Sequence, residues 1–320
     1  MSRRRLQVAF DTAGSRASGI GHVLRSLSLA ERVRRTGARV TLVGSIASTP
    51  MASMSLPRTV APPDVLVVDR PDTTGDLLRR RHERWPLARI VVLDYYGPAM
   101  DGIVAVVNLN EGRERTHRVR PAGYRLGLEY ATLRRSFQER RRQRRTVPSR
   151  VRRIVVAFGG TDPSGWTAAA VEALRAVSAT ASIDVLSGRP LAARLSSGDA
   201  RVTVHVSLRD PAALLQRSDL AVIGGGTMMI EAACLGLPAI IIPRTPEERV
   251  FARQFTRAGA VRLLQPRAAF PAGALRREAA RLLDDRQARL RMRRAGRRLV
   301  DGRGAERVAR LIVRAGGMAA

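Results

Sequence analysis

Short β-branched runs alternate with longer segments of helical spacing, and they do so twice along the chain. Leu6–Phe10, Val40–Val43, Val65–Val68, Ile90–Leu93 and Val104–Val107 form the first series. Ile154–Phe158, Ile183–Leu186, Val202–Val206, Leu220–Ile223 and Ala239–Ile242 form the second. Each run of the first series is almost continuously apolar, the pattern of parallel strands buried on both faces. Between them, Val23–Arg35 sets Val23, Leu27, Ala30 and Val33 at helical spacing with arginines opposite, and Gly37 stands where a C-cap glycine belongs. Thr167–Val177, Pro211–Gln216 and Met228–Leu235 suit helices as well. Such alternation predicts an α/β chain of two doubly wound, Rossmann-like parallel sheets. Ligands of these sheets bind at the carboxyl ends of the strands, where the strand order reverses, so two facing sheets predict a cleft.

A length of 320 residues agrees with two domains. Ten of the twenty residues from Arg134 to Arg153 are arginine, with Pro148 and Ser149 near the end of the stretch. This reads as a solvated helix and connection, so the expected division is 1–148 and 149–320. The Arg-rich tail from Arg267 reads as helical, with Val308, Leu311 and Ile312 as the buried stripe of a last helix.

Composition excludes several chemistries. The 57 basic residues, against 27 acidic, give a formal charge of +30, and all 57 are arginine. Without a lysine there is no P-loop lysine, pyridoxal Schiff base or lysine nucleophile. Arginine suits phosphate and carboxylate. The charge also raises a binding protein for nucleic acid or anionic surfaces as an alternative. Against it, the arginines are spread over many segments, and aromatics make up only 4% of residues. With no nucleic-acid module or stacking platform, specific nucleic-acid binding is not expected. Peripheral association with an anionic membrane is compatible with the charge. No run reaches the ~18 apolar residues of a membrane span. The Arg-rich start lacks the apolar core of a signal peptide, so a cytoplasmic protein is expected. The single cysteine, Cys234, lies in an apolar run and reads as a buried thiol. No histidine pair has metal-ligand spacing, so no metal is expected.

Four loops carry candidate chemistry. Ser18-Gly19-Ile20-Gly21-His22 opens the first helix, where glycines let a ligand approach and the helix N-terminus favours an anion. It is not a dinucleotide fingerprint, because Leu24 holds the third glycine position and Gly44-Ser45, not an acid, ends the second strand. His22 could serve as a general base or as a local helix cap, and spacing leaves the two even. Gly159-Gly160-Thr161-Asp162-Pro163 ends the first strand of the second series and offers N–H groups and a hydroxyl to a phosphate. Gly224-Gly225-Gly226-Thr227 leads from a buried strand straight into a helix, and Glu231 follows one turn later on the Thr227 face, where it can hold a ribose diol. Beyond the next strand, Glu247 and Glu248 could hold sugar hydroxyls or simply begin a helix.

Together these segments resemble the nucleotide-sugar hydrolases of pseudaminic acid biosynthesis (PseG) and the related spore-coat polysaccharide proteins (SpsG). These belong to the glycosyltransferase-B (GT-B) superfamily, with MurG as a more distant relative. The resemblance runs from about Asp11 to Leu264. It rests on Gly19 to Arg25, on Asn108-Leu109-Asn110, and on Tyr124, Gly127, Tyr130, Leu133, Arg134 and Phe137. Gly159 to Pro163, Gly225 through Glu231, and Leu235-Gly236-Leu237-Pro238 complete it. It implies His22 as the base that activates water against the anomeric carbon, Thr161 and Gly226-Thr227 as diphosphate contacts, and Glu231 as the ribose ligand. The family carries Asn-Gln where Glu247-Glu248 stand, and small hydroxyl residues where Met228-Met229 stand.

The expected activity is therefore a PseG-like hydrolase that releases sugar and UDP from a nucleotide-sugar, with no cofactor beyond the UDP-type moiety of the substrate. The alternative is a GT-B glycosyltransferase that moves the sugar to a hydroxyl acceptor on a glycan, lipid or natural product. In either case residues 1–148 would supply the base and the water or acceptor side, and residues 149–320 would bind the nucleotide-sugar through Gly160, Thr161, Gly225, Gly226, Thr227, Glu231, Glu247 and Glu248, with Gly19 and Gly21 contributing from the first domain.

Overall fold

The computed structural model describes residues 4–14, 21–45, 61–110, 123–143, 145–159, 162, 164–187, 199–206, 208, 210–266 and 269–317. By its internal packing the chain forms two compact units, Met1–Arg135 with Gly302–Ala320, and Ser136–Asp301. Each is built on a six-stranded sheet whose paired strands are all parallel.

In the first unit the strands are β1 (Gln7–Ala13), β2 (Arg39–Ser45), β3 (Val65–Asp69), β4 (Arg89–Leu93), β5 (Ile103–Asn108) and β6 (Gly123–Leu126). Their spatial order is β2-β1-β3-β4-β5-β6. The order reverses between β1 and β3, so the crevice at that switch point is where a ligand belongs. Side chains of successive strand residues alternate between faces. Val8, Phe10, Val65, Val67, Val91 and Leu93 thus share one face. Helix α1 (Gly21–Arg34) covers it with Leu29, Ala30 and Val33. Ala9, Leu66, Val68, Ile90 and Val92 line the other face, packed on Leu77 and Leu78 of α2 (Gly75–Arg84) and on Trp85. Gly37 lies just beyond α1 with φ +91°, as a helix-terminating glycine does.

The second unit holds β7 (Arg153–Ala157), β8 (Ser182–Ser187), β9 (Val202–Val206), β10 (Leu220–Ile223), β11 (Ala239–Ile241) and β12 (Val261–Leu263), ordered β12-β11-β10-β7-β8-β9. Here the switch point lies between β7 and β10. Among the described residues this unit also holds α3 (Arg135–Arg142), α4 (Trp166–Arg175), α5 (Ala212–Arg217), α6 (Met228–Leu235), α7 (Pro246–Arg257), α8 (Ala272–Asp284) and α9 (Arg286–Leu299). Ile154, Val156, Phe158, Val185, Val222 and Ile240 pack against Val171 and Leu174 of α4 and Leu275 and Leu282 of α8.

The boundary differs from the expected 148/149 in two ways. Residues 136–148 pack with the second unit. There Arg289, fully buried, donates to Leu282 O and Leu283 O at the end of α8 and to Pro148 O and Ser149 O of the connection, at 2.5–2.9 Å. The connection is therefore pinned by buried hydrogen bonds and is not merely solvated. At the other end, the last helix α10 (Gly304–Ala315) returns to the first unit. It buries Ala305, Val308, Ala309 and Ile312 in the core beside α1, with Leu311 partly buried against it. Gly304 lies against the backbone of Tyr130 and Ala131, and Gly316 against Leu6, so closely that a Cβ at either would collide.

Cys234 is buried in α6, and burial pushes its thiol up to about 11, as expected for a structural cysteine.

Candidate functional site

In the first unit, β3 ends in Asp69, which is fully buried directly below the first turn of α1. His22, Arg25 and Ser26 stand at i, i+3 and i+4 on one helix face, and all three reach this carboxylate. His22 Nδ1 lies 2.7 Å from Asp69 Oδ1, Arg25 Nε donates to Oδ2 at 2.9 Å, and Ser26 Oγ donates to Oδ2 at 3.2 Å. A second Arg25 nitrogen pairs closely with Oδ1. That nitrogen also lies 3.0 Å from His22 Nδ1, but two donors do not bond each other. The shorter contact to a buried carboxylate therefore assigns the Nδ1 proton to the Asp69 bond, which leaves Nε2 as the nitrogen able to accept a proton. Burial alone would raise the Asp69 carboxyl. The charge and hydrogen bonds of Arg25, joined by His22, outweigh it and hold the carboxyl below its ordinary range.

His22 lines a cavity of about 410 Å³ with Arg70, Thr74, Gly75, Asp94 and Tyr96. The buried carboxylate of Asp11, on β1, fixes Arg70 at 2.8 Å and Arg81 at 2.6 Å, and Arg70 also makes two 2.9 Å bonds to Asp72. Asp94 follows β4 and is exposed, in the left-handed region with φ +60°, a conformation a non-glycine residue seldom takes. Its neighbour Tyr95 is clamped by buried Asn108, which accepts from Tyr95 N at 2.9 Å and donates to Tyr95 O at 2.7 Å. Three strands of this sheet thus place a carboxylate at or near their carboxyl ends: Asp11, Asp69 and Asp94.

In the second unit, Gly159 follows β7, Gly224 to Thr227 follow β10, and Arg244 lies just beyond β11. Gly225 is a packing glycine. A Cβ there would stand 2.5 Å from Glu248 Cβ and 3.1 Å from Glu248 O. Gly225→Ala should therefore cost about 1–3 kcal/mol as overpacking, measured by denaturant unfolding. A variant as stable as the parent would mean that α7 is not held against this turn. Gly226 differs, because nothing among the described residues lies within 4 Å of where its Cβ would be, and its φ is not positive. Neither packing nor backbone strain asks for glycine at 226, and the same is true of Gly21 at the start of α1. Both positions leave room for an occupant to approach the backbone. Thr227 is exposed at the head of α6, with Glu231 one turn further on and partly exposed.

Glu248 has another role in the structure than a free sugar ligand. Thr245 caps α7 by accepting from Glu248 N at 3.2 Å, and Pro246 opens the helix. The Glu248 carboxylate accepts from Gly225 N at 3.1 Å and Arg244 N at 2.7 Å. Glu247 is exposed in the same first turn. Asp162 is likewise spent on a helix start: it accepts from Trp166 N at 3.2 Å and Thr167 N at 2.7 Å at the head of α4. Gly19, Gly160 and Thr161 lie outside the described residues.

No family model matches the chain. It is similar to an uncharacterized protein of Methanocaldococcus jannaschii, 24% identical over 278 residues that cover 76% of this chain and 57% of that protein. The spore coat polysaccharide biosynthesis protein SpsG of Bacillus subtilis is 24% identical over 258 residues, 78% of this chain and 76% of SpsG. A UDP-N-acetylglucosamine–N-acetylmuramyl-(pentapeptide) pyrophosphoryl-undecaprenol N-acetylglucosamine transferase of Rubrobacter xylanophilus is 34% identical over 169 residues, 51% of this chain and 50% of the transferase. Among solved structures, MurG of Acinetobacter baumannii aligns with 96% of this chain and 99% of its own at a TM-score of 0.64 and 14% identity. The calicheamicin glycosyltransferase CalG4 aligns with 99% and 100% at 0.63 and 16%. The fold is that of the GT-B glycosyltransferases. In this chain of GT-B fold, the sequence singles out His22 and the second glycine turn and gives no role to Asp69, Asp94 or Arg244. Two of these had a readable signal, since Val-Leu-Val-Val-Asp and Ile-Val-Val-Leu-Asp each finish an apolar strand with an acid.

Proposed function

We propose that this chain is a glycosyltransferase that moves a sugar from a nucleoside diphosphate to an acceptor hydroxyl. The observation that carries the reading is His22, oriented through Nδ1 by a buried carboxylate and lining an open cavity, with no hydrogen-bond partner for Nε2 among the described residues. That is the arrangement of a general base. In the reaction the acceptor oxygen forms a bond to the anomeric carbon, and its proton passes to His22 Nε2. The bond from that carbon to the diphosphate oxygen breaks, and the electron pair leaves with the nucleoside diphosphate. Charge growing on the leaving oxygen is met by backbone N–H groups of the Gly226-Thr227 turn, and Glu231 holds the ribose. The donor assigned here is a UDP-sugar, in keeping with the name of the R. xylanophilus relative.

The same site would hydrolyse the donor if water replaced the acceptor. The transferases among the similar proteins support transfer over the hydrolysis expected from sequence. Incubation with UDP-, GDP-, CMP- and dTDP-sugars, following nucleotide release with and without hydroxyl acceptors, tests this. Release that depends on an acceptor supports transfer. Equal release in water alone restores the hydrolase reading, and no release from any donor under either condition removes both.

A further inference from the structure

Arg244 lies just beyond β11 and leans back over the ends of the neighbouring strands. Its two terminal guanidinium nitrogens lie 3.6 and 3.7 Å from where a Cβ at Gly159 would stand, and its Nε lies 3.9 Å from where one at Gly224 would stand. The guanidinium therefore sits over both glycine turns, at the switch point between β7 and β10. Gly159 has φ +94°, so its glycine is also demanded by the backbone.

Glu248 holds Arg244 there. One carboxylate oxygen takes the two backbone N–H groups of Gly225 and Arg244, and the other takes one guanidinium nitrogen at 3.3 Å. Two amides and a guanidinium on one anionic group form the donor set that a phosphate oxygen takes. The bonds to the amides are the shorter ones. The link to the guanidinium is long and single, and no partner for Arg244 Nε or its second terminal nitrogen is found among the described residues. A guanidinium carries five N–H donors, so most of this one remains to be used.

We propose that Arg244 binds the diphosphate of the donor and sets the preference for a diphosphate leaving group, with Glu248 as the internal carboxylate that positions it over the glycine turns. This rests on the nucleotide-sugar reading above. The chemical logic makes the two residues opposite in effect. Arg244 attracts the incoming anion, whereas Glu248 orders the turn but repels the same anion. Where the resembled family carries uncharged amides, this chain carries a carboxylate beside an arginine, so the local field depends on the pair.

The test is a charge ladder. Affinities of uridine, UMP and UDP for the full chain are measured by calorimetry, with the guanosine, cytidine and thymidine series run in parallel. For the preferred base, affinity of the parent should climb with phosphate count. Arg244→Gln should weaken the diphosphate on the order of ten- to a hundredfold, with little change for the nucleoside. Arg244→Lys should keep part of the climb, and Glu248→Gln should bind the diphosphate more tightly while keeping an acceptor for Gly225 N–H. If Arg244→Gln leaves all three ligands unchanged, or weakens all three equally, Arg244 does not bind the diphosphate, although the nucleotide site stands. A parent that binds no nucleotide of any series overturns the functional reading and this inference together. Arg244 is exposed, so its variants should melt with the parent, and a melting scan of each confirms that affinities are compared between folded chains.

Discussion

His22→Ala should lower turnover by about 10²–10⁴-fold while leaving nucleotide affinity unchanged, because a positioned general base contributes on that scale. The measurement is steady-state nucleotide release beside calorimetric UDP binding. The split between the two readouts matters. His22 stands at the start of α1 in the first unit, whereas the glycine turns, Glu231 and Arg244 belong to the second. A residue that only capped α1 would shift the melting temperature and spare turnover. His22→Gln sharpens the comparison, since its amide can donate to Asp69 but cannot take a proton from a hydroxyl. Both variants losing turnover with unchanged melting would assign proton transfer to His22. Turnover retained in His22→Gln would remove the base role and leave only the hydrogen bond.

Ten of the twelve strands carry β-branched apolar residues that made the two sheets legible, including the edge strands β2 and β9, although β9 is nowhere fully buried. The two that stayed hidden are the other edge strands. β6 is Gly-Tyr-Arg-Leu, half-buried throughout, and β12 is only three residues long. A strand exposed on one side does not need a continuous apolar run, so hydrophobicity has little to mark it. The return of α10 to the first unit was hidden for a different reason. Its buried stripe was readable from Val308 and Ile312, but a stripe does not say which sheet it will cover. The candidate site was half legible in the same sense. Glycine turns and a lone histidine are local features, and they stand out. The buried partner of His22 lies 47 positions away and becomes its neighbour only through the pairing of β1 with β3. The arginine excess also looked like solvated charge, yet part of it caps helix ends from inside. Arg289 clamps four carbonyls, and Arg141 donates to Cys234 O at 2.6 Å and Arg297 O at 2.7 Å. Guanidinium groups at helix C-termini meet unpaired carbonyls and the negative end of the dipole, a role that composition cannot display.

Asp69→Asn should be costly on two scales, and pH separates them. The asparagine keeps the shape but leaves Arg25, mostly buried, without its counter-ion. Breaking a buried pair from one side costs about 3–5 kcal/mol, so unfolding should shift by that order at neutral pH. The sign of the pH dependence follows from the lowered Asp69 carboxyl. A carboxyl depressed in the folded state contributes stability in full above its unfolded value of about 3.9, and the contribution fades as pH falls through the folded value. The parent and Asp69→Asn should therefore differ most at neutral pH and converge as the pH drops below about 4. Denaturant unfolding across that range reads the gap directly, and a gap independent of pH would show that the Asp69 charge does not stabilise the fold. On the catalytic scale, the amide can present its N–H or its carbonyl to His22, so the ring loses the partner that fixes its proton on Nδ1. Turnover should fall at temperatures where both proteins are folded. His22→Ala, which leaves the Arg25–Asp69 pair intact, should lose turnover without the acid-dependent stability change. Loss of stability in both variants, or in neither, would break the assignment of Asp69 as the residue that both anchors Arg25 and orients the base.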